Sequence, residues 1–199
     1  MRELKLNSKL TIIFYLILGI TSVYDIFYRG GEKLPRLALI AITILGLNLI
    51  YKKTFFINSK IIYRIALFFI FISMYLANVW NFYGVENYDK MLHLLSGVIL
   101  GFIGLGSYIK MFNIKDKKEI DIKRLIIFII MFLLSIAGAW EIWEFTTDSI
   151  FGLTAQNGLN DTMWDMILGT LGGIIVLFPI IKFAKGKNVK LIDEFLKDI

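Results

Sequence analysis

The chain has 199 residues, of which 57% are hydrophobic and 15% aromatic, with a net charge of +6 and no cysteine. Its mean hydropathy of +0.71 is too apolar for a soluble domain, so the composition predicts an integral membrane protein. Without cysteine there are no disulfides or thiolate metal sites, and the single histidine limits imidazole ligation to one side chain. Basic residues of a membrane protein report topology and contacts with anionic lipid, so the predicted partners are membrane lipids rather than nucleic acid.

Six apolar segments have lengths that suit helices crossing a bilayer, which needs about 20 residues per span. They lie at about residues 9–28, 35–51, 61–83, 88–111, 123–147 and 162–183. The second begins at Pro35, a residue that suits a first helical turn. The linkers between the segments are short. The sequence therefore predicts an all-α fold in which residues 1–199 form one transmembrane domain, a bundle of about six helices.

Lys and Arg residues are distributed unevenly between the two sides of this predicted bundle. Of the 22, 18 fall on the side that carries both termini and the second and fourth loops. The four on the other side are Arg29, Lys33, Arg36 and Lys90. Because cytoplasmic loops are enriched in basic residues, this imbalance predicts that the N- and C-termini are both cytoplasmic.

Five acidic residues occur within 25 residues of the last two spans: Glu141, Glu144, Asp148, Asp161 and Asp165. The first three are spaced i, i+3 and i+7 and the last two i and i+4, so each set shares one helix face. A carboxylate near the centre of a bilayer costs about 2.5 to 3.5 kcal/mol even on insertion scales, and such residues face protein, water or a partner. This stretch is therefore the predicted functional centre.

The fourth and sixth predicted helices carry the same pattern of residues in steps of four. In the fourth these are Asp89, His93, Gly97 and Gly101, and in the sixth Asp161, Asp165, Gly169 and Gly173. Glycines on one face predict that the two backbones approach closely, while the polar ends meet in a polar pocket open to the outer face. Either an ancestral hairpin duplication or a common small-residue packing face explains the pattern.

Three segments in order resemble the YjdF-like family of bacterial inner-membrane proteins. They are YDKMLHLLSG (Tyr88 to Gly97), EIWE (Glu141 to Glu144) and QNGLNDTMWDM (Gln156 to Met166). A looser similarity links the chain to VanZ-like proteins, which are associated with glycopeptide resistance. The resemblance covers roughly residues 60–183 and implies a multi-pass protein of the bacterial plasma membrane. It carries over the positions Asp89, His93, Glu141, Glu144, Gln156, Asp161 and Asp165, and it implies no particular reaction.

A divalent cation bound by His93, Glu141, Glu144 and Asp165 is the sharpest hypothesis for these residues. Several carboxylates on separate helices cannot all remain charged and unpaired near lipid, and a cation would resolve that problem. Oxygen-rich ligation with one imidazole suits Mg²⁺, Mn²⁺, Ca²⁺ or Zn²⁺.

Such a cation could activate water or bind a phosphate, which predicts a metal-dependent hydrolase or transferase acting on a lipid, lipid-linked or cell-envelope ligand. In this hypothesis Glu144 and Asp161 are the catalytic groups. Asp89, Gln156 and Asp148 would contact the substrate or surround the metal ligands.

Two alternatives stay open at this point. Acids on several helices beside one titratable histidine are also typical of a proton- or cation-coupled transporter. The same acids could instead form a buried carboxylate network that fixes helix register or binds a partner protein.

Overall fold

The computed structural model describes residues 2–54, 59–151 and 156–196, and it is helical throughout, without a strand in those ranges. The helices are α1 (Arg2–Arg29), α2 (Leu34–Lys53), α3 (Lys60–Ile70), α4 (Tyr88–Met111), α5 (Ile122–Phe151), α6 (Leu159–Ala184) and α7 (Lys190–Leu196). A π-helical segment, Phe71–Val79, directly continues α3. The predicted all-α fold is confirmed.

Six helices in the described part of the chain are long and apolar enough to cross a membrane, as predicted. The third span, Ile61–Val79, is shorter than the predicted segment 61–83. Its helix ends at Trp80, and Asn81 adopts a left-handed conformation with φ of 61°. Hydropathy does not predict this helix end, because the residues that follow Val79 are mostly aromatic. The helix stops at a left-handed turn, a conformation that asparagine tolerates.

The chain divides into two compact units, residues 1–86 with 195–199, and residues 87–194. The first, called unit 1 here, has a core made by α1, α2, α3 and the π-helical segment, including the buried Phe14, Ile40, Ile44 and Tyr63. Tyr63 also joins polar groups, because its hydroxyl donates to Asn48 Oδ1 at 2.9 Å. Unit 1 is therefore an apolar three-helix core crossed by a few hydrogen bonds.

Asp25 fixes the hairpin between α1 and α2 in unit 1. Its side chain is fully buried, and its Oδ2 accepts a hydrogen bond from the backbone N–H of Lys33 at 2.8 Å. Lys33 immediately precedes α2, so the carboxylate lies at the N-terminus of that helix. A negative group at this position interacts favourably with the helix dipole.

The second unit, called unit 2 here, is organised around close packing between α4 and α6. A Cβ added to Gly97 would overlap the carbonyl oxygen of Gly169, and one added to Gly172 would overlap that of Leu94. Only glycine permits backbones to pass this closely. The predicted approach of the two glycine faces is confirmed, and α5 closes the unit with buried side chains such as Leu133.

Candidate functional site

The acidic stripe of α5 faces the interior of unit 2. Glu141 is buried, while Glu144 and Asp148 are half-buried. Ile142 and Trp143, which lie between them in sequence, are exposed. The i, i+3, i+7 spacing therefore places the carboxylates inward and the apolar side chains outward, as expected for a helix whose outer face meets lipid.

Asp89 and Asp161 lie in the first turns of α4 and α6. The residues that precede these helices, Asn87 and Gly158, have positive φ values of 60° and 97°. Each helix thus begins abruptly after a left-handed or extended turn, and an acid follows within its first turn. Carboxylates at this position are stabilised by the positive end of the helix dipole.

His93 lies between two carboxylates, one on its own helix and one on α6. Its Nε2 is 3.8 Å from Asp89 Oδ1 and 3.8 Å from Asp165 Oδ1. Ligand-capable atoms of Asp89, His93 and Asp165 all lie within 4.8 Å of one another. We call these three residues the α4–α6 triad.

The depth of the triad increases from one end to the other. The exposed fraction of the side chain is 34% for Asp89, 16% for His93 and 4% for Asp165. A small ion or ligand would therefore meet Asp89 first and Asp165 last. One helical turn below His93, Gly97 lies against Gly169, so the helices are in direct backbone contact under the triad.

Two carboxylate oxygens of unit 2 are buried without a hydrogen-bond partner among the described residues, namely Asp165 Oδ1 and Glu141 Oε2. A buried polar atom without a partner costs about 1 to 3 kcal/mol, and more when it is charged. At 3.8 Å, His93 is too far from Asp165 to donate a normal hydrogen bond. The site therefore contains acceptor oxygens that a cation or a proton would satisfy.

Glu141 and Glu144 lie beside the triad in different surroundings. Thr162 and Gln156 lie next to the Glu141 carboxyl group, and Asp161 is close enough to act on its charge. Glu144 accepts a hydrogen bond from Trp140 Nε1 at 2.8 Å. The charges of both glutamates reach Asp165, so the acids form one electrostatically connected group.

Asp148 and Gln156 connect α5 to the start of α6. Asp148 Oδ2 accepts a hydrogen bond from the backbone N–H of Gln156 at 2.9 Å. This contact places the Gln156 side chain beside Glu141. Asp148 therefore positions the hairpin, although its charge also acts on Glu144.

The structure does not group these residues as in the metal site that the sequence predicts. It brings His93 and Asp165 together, adds Asp89, and, in the part of the chain that it describes, leaves Glu141 and Glu144 outside the group of closely spaced ligand atoms. Thr162, beside Glu141, did not figure in the sequence prediction. Its only sequence signal is a hydroxyl directly after Asp161 in an acid-rich turn.

Comparison with known proteins identifies the family of the chain. No curated protein and no solved structure matches the chain, and the similarity to VanZ-like proteins stays a prediction. The model of a family described as "Predicted membrane protein (DUF2238)", which is the YjdF family, matches residues 9–185. That range includes all six apolar spans almost in full and every residue of the candidate site. The chain therefore belongs to the DUF2238 family of predicted membrane proteins.

Proposed function

We propose that unit 2 binds a divalent cation at the α4–α6 triad and uses it to act on a lipid-like or cell-envelope ligand. The observation that carries this proposal is the position of Asp165 Oδ1, which is buried, lacks a hydrogen-bond partner among the described residues, and lies 3.8 Å from His93 Nε2. A cation between these atoms would satisfy the carboxylate that the surrounding protein leaves without a partner.

The distances from His93 to the two carboxylates suit an ion. Two ligand atoms that are each about 2.2 Å from a cation lie roughly 3 to 4.4 Å apart, depending on the angle between them. Both His93 contacts, at 3.8 Å, fall in that range. Direct hydrogen bonds would instead require about 2.7 to 3.2 Å.

The chemistry of the triad favours some ions over others. One imidazole with two carboxylates suits Mn²⁺ or Zn²⁺ better than Mg²⁺ or Ca²⁺, which prefer all-oxygen ligation. Three protein ligands also leave coordination positions for water or a substrate oxygen, which is typical of catalytic rather than structural metal sites.

Among the acids that surround the triad, Asp161 and Glu144 are the proposed acid–base groups. Asp161 is half-buried in the first turn of α6, and its charge acts on both His93 and Asp165. Glu144 is half-buried and fixed by Trp140. These positions support hydrolysis or group transfer, in which a bound cation lowers the charge on a phosphate or activates a water molecule.

The distribution of basic residues supports the orientation of the site. Of the 22 Lys and Arg residues, 18 fall on the side of the spans that carries both termini, which we propose is cytoplasmic. The triad, near the start of α4, then lies toward the outer face of a bacterial plasma membrane. A lipid-linked or envelope ligand would reach it from that side.

A proton- or cation-coupled transporter is the second candidate. The electrostatic link among Asp89, Asp161, Glu141 and Asp165 favours it, because relays of acids carry ions through membranes. The glycine contact directly below the triad argues against it, since Gly97 and Gly169 leave no room between α4 and α6 for an ion path at that point.

Elemental analysis of tag-free protein purified in mild detergent tests the proposal. The protein is supplied with Mg²⁺, Mn²⁺, Ca²⁺ and Zn²⁺ and then washed, and wild type is compared with Asp165→Asn. Asp25→Asn is the matched control, because Asp25 is also a buried aspartate with one oxygen that lacks a partner but belongs to unit 1. We expect near-stoichiometric metal in wild type and control and none in Asp165→Asn. Equal metal in all three, or none in wild type, would contradict the proposal.

A further inference from the structure

Two arginines of unit 1 lie where three membrane spans end. Arg29 is the last residue of the first span, and Arg36 lies in the first turn of the second, which begins at Leu34. Their contacts are with the end of the third span at Val79 and the residue before it. Because spans end at the level of the lipid headgroups, this end of unit 1 lies at headgroup depth.

Both guanidinium groups are held in place by acceptors at the end of the π-helical segment. Arg29 Nη1 donates to the carbonyl oxygen of Val79 at 3.1 Å, and Arg36 Nη1 donates to Asn78 Oδ1. The Arg29 guanidinium also lies over the rings of Tyr24 and Trp80, 5.3 and 4.8 Å from their centroids. Holding such side chains in advance reduces the entropy lost when they bind a ligand.

Neither arginine makes an ion pair with a carboxylate in the part of the chain that the structure describes. The buried Asp25 instead accepts from the backbone of Lys33, and Glu32 is exposed. Each guanidinium carries five N–H donors, and its hydrogen bond to Val79 or Asn78 uses only one of them. Donors therefore remain on two cationic groups at headgroup depth.

We propose that Arg29 and Arg36 bind the phosphate of an anionic phospholipid headgroup, and that this end of unit 1 is a specific lipid site. Arginine recognises phosphate through paired N–H donors, which suits a phosphodiester better than a lysine would. The surroundings indicate a lipid rather than a free anion, because Phe27 and Tyr28, which immediately precede Arg29 in α1, are 78% and 77% exposed and would pack against acyl chains and glycerol. This site is independent of the cation proposed in unit 2.

Native mass spectrometry of lipid retained on the purified protein tests this site. Protein is reconstituted in equimolar phosphatidylglycerol and phosphatidylcholine and then extracted. Wild type is compared with the Arg29→Gln, Arg36→Gln double variant. Arg64→Gln is the matched control, because Arg64 also belongs to unit 1 and donates to an asparagine, Asn7 Oδ1, at 2.9 Å. Wild type and control should retain phosphatidylglycerol in preference to phosphatidylcholine, and the double variant should retain about tenfold less phosphatidylglycerol.

Equal retention by the double variant, or an equal loss in Arg64→Gln, would overturn the proposal. Displacement of the lipid by soluble glycerophosphoglycerol at millimolar concentration would show that the site recognises a free phosphodiester, which would overturn the assignment to lipid. If the double variant does not give a monodisperse protein, Arg36→Gln alone decides. It removes only an exposed contact, and we expect it to reduce retention about threefold, whereas unchanged retention would reject the site.

Discussion

Units 1 and 2 both bury carboxylates, but they do so in different surroundings. In unit 1, Asp25 is fully buried at the α1–α2 hairpin and accepts a backbone hydrogen bond from Lys33, eight residues later. In unit 2, Asp148 makes the same kind of bond to Gln156, also eight residues later. The hairpin contact is therefore common to both units.

The difference is the acidic group that unit 2 adds to this contact. Asp165 and Glu141 are buried, each with an oxygen that lacks a partner among the described residues, and the charges of further acids act on both. One buried carboxylate can be explained by the backbone that it positions. Several in mutual reach need a cation or protons as well, because like charges in a low-dielectric environment repel strongly.

The largest effect is expected from Gly97→Ala. The added methyl group would overlap the carbonyl oxygen of Gly169, and because that atom belongs to the α6 backbone, the helices would have to separate. We expect a loss of about 3 kcal/mol or more in the free energy of unfolding, or no folded protein at all. Thermal unfolding in detergent measures this effect. Gly46→Ala in α2 is the control, because no atom lies within 4 Å of its added Cβ, and a comparable loss there would show that the close contact is not the cause.

Replacing a metal ligand should give the second-largest effect. Asp89→Asn should weaken cation binding by at least about a hundredfold, since removing a ligand exceeds the 10- to 100-fold effect of groups that only support one. Glu144→Gln should weaken it by less than about tenfold, because Glu144 lies outside the triad and accepts from Trp140. Isothermal titration of the metal-free protein measures both affinities. The reverse order would favour the ligand set predicted from the sequence.

Substitutions of Asp25 test a buried carboxylate with a structural role. Asp25→Ala removes the acceptor for the Lys33 N–H and should lower the free energy of unfolding by about 1.5 to 3 kcal/mol. Asp25→Asn retains an acceptor oxygen and should lose less. Thermal unfolding, followed together with cation affinity, checks both variants, and a change in affinity with unchanged stability would assign Asp25 a role in binding.

Glu141→Gln should give a smaller effect than Asp89→Asn or Asp25→Ala. The substitution keeps an acceptor beside Thr162 and Gln156 but removes one charge near the triad. We expect about a tenfold loss of cation affinity with little change in melting temperature. If the acids serve only to fix the helices, the melting temperature should fall while the affinity, if any, stays the same.

Much of the fold follows from patterns that act along one helix. Hydropathy predicts the six spans, because each span must satisfy its backbone polar groups within one apolar helix in lipid. The steps of four from Gly97 to Gly101 and from Gly169 to Gly173 predict the packed faces of α4 and α6. The π-helical segment after α3 has no comparable signal. It is visible only in the structure, over Phe71–Val79.

The composition of the site depends on features that spacing along one helix does not determine. The i, i+4 relation of Asp89 and His93 was present in the sequence and is sufficient to place them together. Whether Glu141, Glu144 or Asp165 is nearest to His93 depends on the rotation and depth of α5 and α6 relative to α4. Those quantities are set by side-chain packing across the interface, which is why the triad includes Asp89 and not the two glutamates.

The most direct test of the cation site uses the single histidine of the sequence. Tag-free protein is loaded with Mn²⁺, and pulsed electron paramagnetic resonance detects the coupling of the ion to nearby nitrogen nuclei. We expect coupling to one imidazole nitrogen in wild type and its loss in His93→Gln. Bound Mn²⁺ without imidazole coupling in wild type, or coupling that persists in His93→Gln, would contradict a cation held by Asp89, His93 and Asp165.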